Sequence, residues 1–174
     1  MTSGKSTIGP ILANVLGWDF LDLDLVIEKN EKQSIVDIFK EKGESYFRKT
    51  ETKTLRELSK IENTIISLGG GTLSHQINLD ILTSTGLLIY LKTSSEMIYK
   101  RIKNKIDRPA FRDLVLNENP EEDFLHKIEK MLSDREPYYS QAAITIDTDK
   151  TAIGITVDTI VKKIKNFKYE KNKN

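Results

Sequence analysis

The sequence has no cysteine among its 174 residues. This excludes a disulfide framework, a thiolate zinc site and a thiol nucleophile, and it suits a reducing compartment. Histidine is also scarce: His75 and His126 have no partner at metal-ligand spacing, so we interpret both as surface or turn residues. No apolar run approaches the roughly 18 residues of a membrane span, and the first residues do not resemble a signal region. We therefore expect a cytoplasmic protein.

The charges nearly cancel. A net charge of +1 and a pI near 7.8 create no field strong enough to gather nucleic acid or an anionic membrane over the whole surface. Any anion site must be local. A hydrophobic content of 38% and a charged content of 30% are typical of a soluble domain, and this length can bury one core. We expect a monomer with a small-molecule substrate and without nucleic-acid or membrane partners.

Apolar runs alternate with helical periodicity along the chain, which predicts βαβ units and a parallel sheet. The predicted strands are Phe20–Asp24, Thr64–Leu68, Leu87–Leu91 and Ala143–Ile146. We assign residues 1–165 to one α/β domain. Within it, periodicity disappears and charges dominate over residues 103–118, which favours a mobile lid. Residues 166–174 are rich in lysine and asparagine and predict a disordered tail.

Gly4-Lys5-Ser6-Thr7, followed directly by a helix, matches the second half of the P-loop pattern G-x-x-x-x-G-K-[ST]. Backbone N–H groups at a helix N-terminus bind phosphate oxygens, and glycine allows a close approach. We expect Ser3, Gly4, Lys5, Ser6 and Thr7 to bind ATP, with Lys5 on the β/γ-phosphates and Ser6 on Mg²⁺. The four residues could also be a plain helix cap.

The start of the chain departs from the full P-loop pattern, which has a further glycine five residues before Gly4 and a strand ahead of it. We interpret Met1 as an internal methionine of a longer natural protein; the alternative is an impaired product. Without that central strand, neighbouring strand edges and part of the core would be exposed. Pro10, inside the first helix, predicts a local distortion because its ring clashes with the carbonyl of Ser6.

Further motifs complete an ordered set that resembles shikimate kinases from residue 4 to about 147. The set comprises Gly4-Lys5-Ser6-Thr7, Asp22-Leu23-Asp24 with Ile27-Glu28, Ile35–Phe39, Gly43-Glu44, Phe47-Arg48, Glu51, Leu68-Gly69-Gly70-Gly71, Arg108-Pro109 and Arg135-Glu136-Pro137-Tyr138. The resemblance implies a three-layer P-loop kinase fold with a central parallel sheet flanked by helices. It also implies transfer of a phosphoryl group from ATP, with Mg²⁺, to the 3-hydroxyl of shikimate in aromatic amino acid biosynthesis.

The resemblance gives the acids and arginines distinct roles. Asp24 would accept a hydrogen bond from the reacting hydroxyl and act as base, and Asp22 would help hold Mg²⁺ through water. If the strand stayed regular, these alternate residues would point to opposite sides. Arg48 and Arg135 would clamp the shikimate carboxylate, and Arg108 would act on the transferring phosphate from the lid.

Each of these residues also has an ordinary structural interpretation. The two acids could be solvated groups near a helix start, and Arg48 lies at helical spacing from Glu44 and Glu51, which could supply a surface ion pair.

The remaining candidates line the pockets that the resemblance implies. Gly69-Gly70-Gly71 would contact the substrate, although a flexible turn is the alternative. Phe39 and Phe47 would form an apolar wall or belong to the core, and Arg101 would stack on adenine or be one charge on a solvated helix. A gluconate or nucleoside monophosphate kinase, and a non-catalytic binding protein, are the competing functions.

Overall fold

A computed structural model describes residues 3–102 and 120–171 of the protein. The helices in these ranges are α1 (Lys5–Leu16), α2 (Leu23–Glu31), α3 (Ile35–Leu58), α4 (Gln76–Thr85), α5 (Ser95–Ile102), α6 (Pro120–Tyr139) and α7 (Ile153–Lys171), with a 3₁₀ turn at Thr72–Ser74. The strands are β1 (Asp19–Asp22), β2 (Thr64–Ser67), β3 (Ile89–Lys92) and β4 (Ile144–Asp147). In the described ranges no helix is both long and apolar enough to cross a bilayer. The predicted lid at residues 103–118 lies outside them.

The four strands form two parallel pairs. In the first, Asp19 of β1 lies opposite Thr64 of β2; in the second, Ile89 of β3 lies opposite Ile144 of β4. The predicted parallel α/β architecture is confirmed. Among the described residues the two pairs are not hydrogen-bonded to each other, so the single central sheet that the sequence predicts is present as two halves.

Helix α1 joins the two halves. Its Ile8 and Leu12 are buried against Ile144 of β4 and Ile160 of α7, while a Cβ atom added at Gly9 would lie 2.4 Å from the ring of Phe20 on β1. Despite the distortion that we expect at Pro10, α1 is one continuous helix. The start of α1 is thus fixed relative to the carboxyl ends of both strand pairs.

Helix α3 changes direction at Gly43, whose φ of 79° and ψ of 169° are not helical. The sequence predicts two helices here, because the helical pattern of Ile35, Ile38 and Phe39 stops at Gly43 and another begins at about Glu44. Glycine adopts the observed positive φ without steric cost. Ser34 caps the first segment by accepting a hydrogen bond from the N–H of Asp37 at 3.1 Å. The second segment of α3 buries Phe47, Leu55 and Leu58 against α2. This packing fixes the orientation of the segment, and with it the side chains on its opposite face.

Helix α7 continues to Lys171, whereas the composition predicts a disordered tail from residue 166. The continuation has a packing reason. Ile160, Ile164 and Phe167 follow helical spacing and line one interior cavity. The predicted tail therefore overlaps the helix by six residues, 166–171, and residues 172–174 lie outside the described ranges.

Candidate active site

Asp22 ends β1 and caps α2. Its Oδ1 accepts hydrogen bonds from the N–H of Asp24 at 3.0 Å and of Leu25 at 3.4 Å, a common use of aspartate at a helix start. Asp24 therefore lies in the first turn of α2 and not in a continuing strand. The predicted strand Phe20–Asp24 ends at Asp22, so the condition of a regular strand for the two carboxylates is not met, because the cap turns the chain there.

Asp24 faces the glycine turn that follows β2. A Cβ atom added at Gly69 would lie 3.0 Å from Oδ1 of Asp24, so a larger residue there would require the carboxylate to shift. Burial raises the pKa of the Asp24 carboxyl to about 6, and the nearby carboxylates of Asp22 and Glu51 add to that rise while Lys5 opposes it. A carboxylate with such a pKa is a stronger base than an ordinary aspartate and is still ionised at neutral pH.

Arg48 approaches the same turn from α3. A Cβ atom added at Gly71 would lie 3.1 Å from its Nη2. The guanidinium also donates to Glu44 at 3.2 Å and to Glu51 at 3.0 Å. The ion pairs that we expected as an alternative are thus present, but they hold the guanidinium beside the glycine turn and not in open solvent.

Arg135 reaches the turn from α6. A Cβ atom added at Gly70 would lie 2.8 Å from its Nη1. One helical turn further on, the Tyr139 hydroxyl donates a 2.7 Å hydrogen bond to the carbonyl oxygen of Gly70. Two side chains of α6 therefore contact the glycine turn, and one of them bonds to its backbone.

Three successive glycines therefore each contact a different candidate residue. Gly69 lies against Asp24, Gly70 against Arg135 and Gly71 against Arg48. A side chain at any of the three would occupy space next to a charged group. The predicted grouping of Asp24, Arg48 and Arg135 is present, and Lys5 is close enough to act on the charge of Asp24.

The amino end of α1 forms the other side of this site. Gly4 caps the helix with a φ of 96° and ψ of 6°, a left-handed conformation that favours glycine. Ser6 and Thr7 are exposed in the first turn and Lys5 is half-buried. Backbone N–H groups at such an end attract phosphate oxygens.

Arg101 lies on the same side of the site. Its Nη2 donates to the carbonyl oxygen of Thr148 at 3.5 Å, and the Thr148 hydroxyl donates to the carbonyl oxygen of Ser3 at the same distance. This links the end of β4 to the start of α1. Arg101 is therefore on the α1 side, whereas Arg48 and Arg135 lie at the glycine turn.

The residues that we predict for magnesium form an open set of oxygen donors. Within residues 3–102 and 120–171 no group of three or more histidine and carboxylate side chains could hold a metal ion by itself. Mg²⁺ in nucleotide sites usually takes only one or two protein oxygens and completes its shell with phosphates and waters. The Ser6 hydroxyl and the Asp22 carboxylate fit that requirement.

Phe39 and Phe47 pack on each other with ring centroids 4.7 Å apart. Phe47 is 4% exposed and belongs to the core, whereas Phe39 is 37% exposed. The guanidinium of Arg48 lies 5.0 Å from the centroid of the Phe47 ring. Phe47 thus supports the arginine from the core side, and Phe39 is the better candidate for an apolar wall.

Glu51 is part of a buried network that we did not predict. Only 1% exposed, it accepts hydrogen bonds from Arg48 and, at 2.7 Å, from the hydroxyl of Thr72. Asn78 donates to the carbonyl oxygen of Thr72 at 2.9 Å and accepts from Thr52 at 2.7 Å. The i, i+3 spacing of Arg48 and Glu51 was a signal, but burial of the pair depends on α4 and could not be derived from it.

Tyr90 and Tyr139 form a second unpredicted support. Their ring centroids are 4.8 Å apart, and the Tyr90 hydroxyl donates to Glu136 at 3.3 Å. The sequence predicts Tyr139 as a packing residue, which its ring contact with Tyr90 bears out, whereas its hydrogen bond to Gly70 was not predicted. Arg108 lies outside the described residues. His75 and His126 are exposed, in agreement with their interpretation as surface residues.

Comparison with known proteins gives one consistent result. A family model described as shikimate kinase matches residues 1–165. A relative from Chloroherpeton thalassium named shikimate kinase is 44% identical over 167 residues, covering 94% of this chain and 87% of the relative.

Solved structures agree. A shikimate kinase from Acinetobacter baumannii in complex with shikimate superposes with a TM-score of 0.82 at 34% identity, covering 95% of this chain and 89% of that one. A shikimate kinase from Bacteroides thetaiotaomicron gives 0.84 at 29% identity, covering 95% of this chain and 94% of its own.

Proposed function

This chain belongs to the shikimate kinase family, and we propose that it transfers the γ-phosphoryl group of ATP to the 3-hydroxyl of shikimate with the residues around its glycine turn. A phosphotransferase on the P-loop kinase fold follows from the family itself. The acceptor hydroxyl, the magnesium ion and the role of each side chain belong to the proposal.

One observation carries the proposal: each glycine of Gly69-Gly70-Gly71 adjoins a different charged group. Two guanidinium groups near one side-chain-free turn suit a planar carboxylate, which accepts parallel hydrogen bonds from arginine. Asp24 at the first glycine can then meet a hydroxyl on the same small ring. An acceptor with a carboxylate and hydroxyls on one ring, such as shikimate, matches this arrangement.

The chemical step follows from the charge states. The acceptor hydroxyl donates its hydrogen bond to Asp24, and its proton passes to that carboxylate as the new P–O bond forms. The bond between the γ-phosphorus and the β,γ-bridging oxygen breaks, and ADP leaves. Since the pKa of Asp24 is raised by burial to about 6, the carboxylate is ionised and ready at neutral pH.

Positioning and charge neutralisation supply most of the catalysis in phosphoryl transfer. We assign the β- and γ-phosphates to the amino end of α1 and to Lys5, with Ser6 and Asp22 as the residues that would hold Mg²⁺. That ion would neutralise phosphate charge when bound. Arg101 would face the adenine. Arg108 and residues 103–118, which the sequence predicts to act on the transferring phosphate, lie outside the described residues.

We further propose that the enzyme acts as a monomer in the cytoplasm. The absence of cysteine suits a reducing compartment, and the candidate residues all come from one chain.

An acceptor panel tests the proposal. The full chain is incubated with ATP and Mg²⁺ together with shikimate, gluconate or a nucleoside monophosphate, and ADP release is followed by a coupled assay. We expect shikimate to be the preferred acceptor by at least about a hundredfold in kcat/KM. The open chain of gluconate does not fix its hydroxyl groups relative to its carboxylate as a ring does, and a nucleoside monophosphate has no carboxylate. Equal or better turnover of gluconate or a nucleotide would contradict the proposal, and ligand binding without turnover would favour a non-catalytic role.

A further inference from the structure

The Tyr139 hydroxyl lies between the glycine turn and Arg135. It donates a 2.7 Å hydrogen bond to the carbonyl oxygen of Gly70. A Cβ atom added at Gly70 would lie 2.8 Å from Nη1 of Arg135 and 3.7 Å from the Tyr139 hydroxyl oxygen, so both groups meet at the same residue. Arg135 and Tyr139 are four residues apart on α6, and this spacing places two side chains next to each other on one face of a helix.

The partners of this hydroxyl determine the direction of its hydrogen bonds. A tyrosine hydroxyl has one hydrogen, and the Gly70 carbonyl oxygen, which can only accept, takes it. A guanidinium group can only donate, so Arg135 faces the lone pairs of the Tyr139 oxygen. Burial raises the pKa of the Tyr139 hydroxyl, while the charge of Arg135 and a hydrogen bond with it act against that rise. The hydroxyl therefore keeps its hydrogen at neutral pH and can serve both partners at once.

The Tyr139 ring is itself held in place from β3. Its centroid is 4.8 Å from that of Tyr90, and the Tyr90 hydroxyl donates to Glu136 at 3.3 Å. Glu136 also forms an ion pair with Lys92 at 3.6 Å. The last turn of α6 thus contacts β3 through one ring pair and two polar contacts, which restricts the positions that the Tyr139 hydroxyl can take.

The two arginines at the glycine turn are held differently. Arg48 bonds to Glu44 at 3.2 Å and to Glu51 at 3.0 Å, so two carboxylates orient it. Within residues 3–102 and 120–171, Arg135 forms no ion pair with a carboxylate. A long arginine side chain that nothing orients populates several rotamers, and ordering it on binding costs affinity. The neutral Tyr139 hydroxyl can orient Arg135 and leave its charge for an acceptor carboxylate.

We propose that Tyr139 is a positioning residue for the phosphoryl acceptor: its hydroxyl links Arg135 to the Gly70 carbonyl and holds the guanidinium in the orientation that binds the acceptor carboxylate. The inference rests on the proposed function, because it takes Arg135 as a carboxylate ligand. Tyr139 itself acts through Arg135 and does not contact the reacting atoms. Removal of the hydroxyl alone should therefore weaken acceptor binding and leave phosphoryl transfer within the bound complex nearly unchanged.

Tyr139→Phe removes the hydroxyl and keeps the ring against Tyr90. We expect the KM for shikimate to rise about five- to thirtyfold, the loss of one hydrogen bond to a charged group. Since the interaction is made before and during the reaction, kcat should change by less than about threefold, and the KM for ATP should stay the same. Tyr99→Phe is the matched control, because it removes a hydroxyl that bonds to Glu121 at the other end of α6. Both KM values should be unchanged in it.

The methyl ester of shikimate separates positioning from a general loss of structure. An ester cannot form the charged, bidentate contact with Arg135, so Tyr139→Phe should lower kcat/KM about five- to thirtyfold for the acid and only slightly for the ester. In an Arg135→Lys background, Tyr139→Phe should have little further effect, because the group that it orients is gone. Equal losses for acid and ester, or a full Tyr139→Phe effect in Arg135→Lys, would overturn the proposal.

A measurement without acceptor or nucleotide keeps this inference separate from the proposed function. A hydrogen-bonded guanidinium group rotates slowly about its Cζ–Nε bond, so in a chain with isotope-labelled arginine its Nη–H signals are resolved by nuclear magnetic resonance, and Arg135→Lys assigns them. We expect resolved Arg135 signals in the wild type and in Tyr99→Phe, and averaged signals in Tyr139→Phe that circular dichroism shows to be folded.

The two possible failures then differ. Unchanged Arg135 signals in Tyr139→Phe would overturn the positioning role even if shikimate is the acceptor. Averaged signals in Tyr139→Phe, together with a wild type that does not phosphorylate shikimate, would support the contact between Tyr139 and Arg135 and contradict the proposed function.

Discussion

A Cβ atom placed on Gly70 would lie 2.8 Å from Nη1 of Arg135. The contact is with the far end of a flexible side chain, so a methyl group there would displace the arginine and leave the backbone in place. Because glycine has no side chain, the turn after β2 can place its own backbone and the guanidinium next to the same ligand.

Gly70→Ala should therefore raise the KM for shikimate by about ten- to a hundredfold, the loss of one charge-assisted contact, with little change in the KM for ATP. Gly154→Ala is the matched control, since an added Cβ there meets nothing within 4 Å. Steady-state kinetics of both variants check this. An unchanged KM for shikimate in Gly70→Ala would mean that Arg135 does not contact the acceptor.

Asp24→Asn should lower kcat by about a hundred- to ten-thousandfold, because the acceptor proton loses its base. Asp19→Asn is the control, on the exposed start of β1. ATP affinity, measured by equilibrium binding, should survive in both variants. Near-normal turnover by Asp24→Asn would remove this residue from the chemical step.

The rate should depend on pH through the same carboxyl group. With a pKa of about 6, Asp24 is ionised above that pH and becomes protonated below it. We expect kcat/KM for shikimate to be level above pH 7 and to fall about tenfold per unit well below pH 6. Circular dichroism over the same range shows that the fold persists. A profile that stays level down to pH 5 would contradict the assignment.

The ionised Asp24 carboxylate, which serves catalysis, should also lower the free energy of unfolding. Its pKa is 3.8 ordinarily and about 6 in the folded protein, so the folded state binds this proton more tightly than the unfolded state. The resulting penalty is complete above pH 6 and disappears as the pH falls toward 4.

In magnesium-free buffer Asp24→Asn should therefore raise the free energy of unfolding at pH 8, by on the order of 1 kcal/mol once partial exposure of the carboxyl is taken into account. Thermal unfolding should show a Tm about 3 °C higher at pH 8 and little difference at pH 4. A variant that is less stable at pH 8 would show that Asp24 makes a favourable structural contact instead.

The sequence was informative where function depends on residue type at a fixed spacing. Three glycines after an apolar run and arginines in separate segments predicted groups that lie together at Gly69–Gly71. Glycine before a helix predicted the amino end of α1 on the other side of the site. The break in α3 at Gly43 was predicted because the helical pattern stops at this glycine.

Contacts between distant elements could not be predicted in this way. Glu51 accepts a hydrogen bond from Thr72, whose carbonyl oxygen accepts one from Asn78 of α4, and the Tyr139 hydroxyl of α6 donates to the carbonyl oxygen of Gly70. The strand predicted to continue to Asp24 ends at Asp22, since a side-chain cap changes the chain direction there. Composition likewise misjudged residues 166–171, where Phe167 extends the buried face of α7.

The most direct test neutralises the acceptor carboxylate and replaces the two arginines one at a time. Shikimate and its methyl ester are compared as acceptors by kcat/KM in the wild type, Arg48→Lys, Arg135→Lys and the control Arg56→Lys, an exposed arginine on α3. The wild type and Arg56→Lys should prefer the acid by at least about a hundredfold, and each site variant should lose most of that preference because the bidentate fork is gone. Equal preference for the acid in all four proteins would contradict the account.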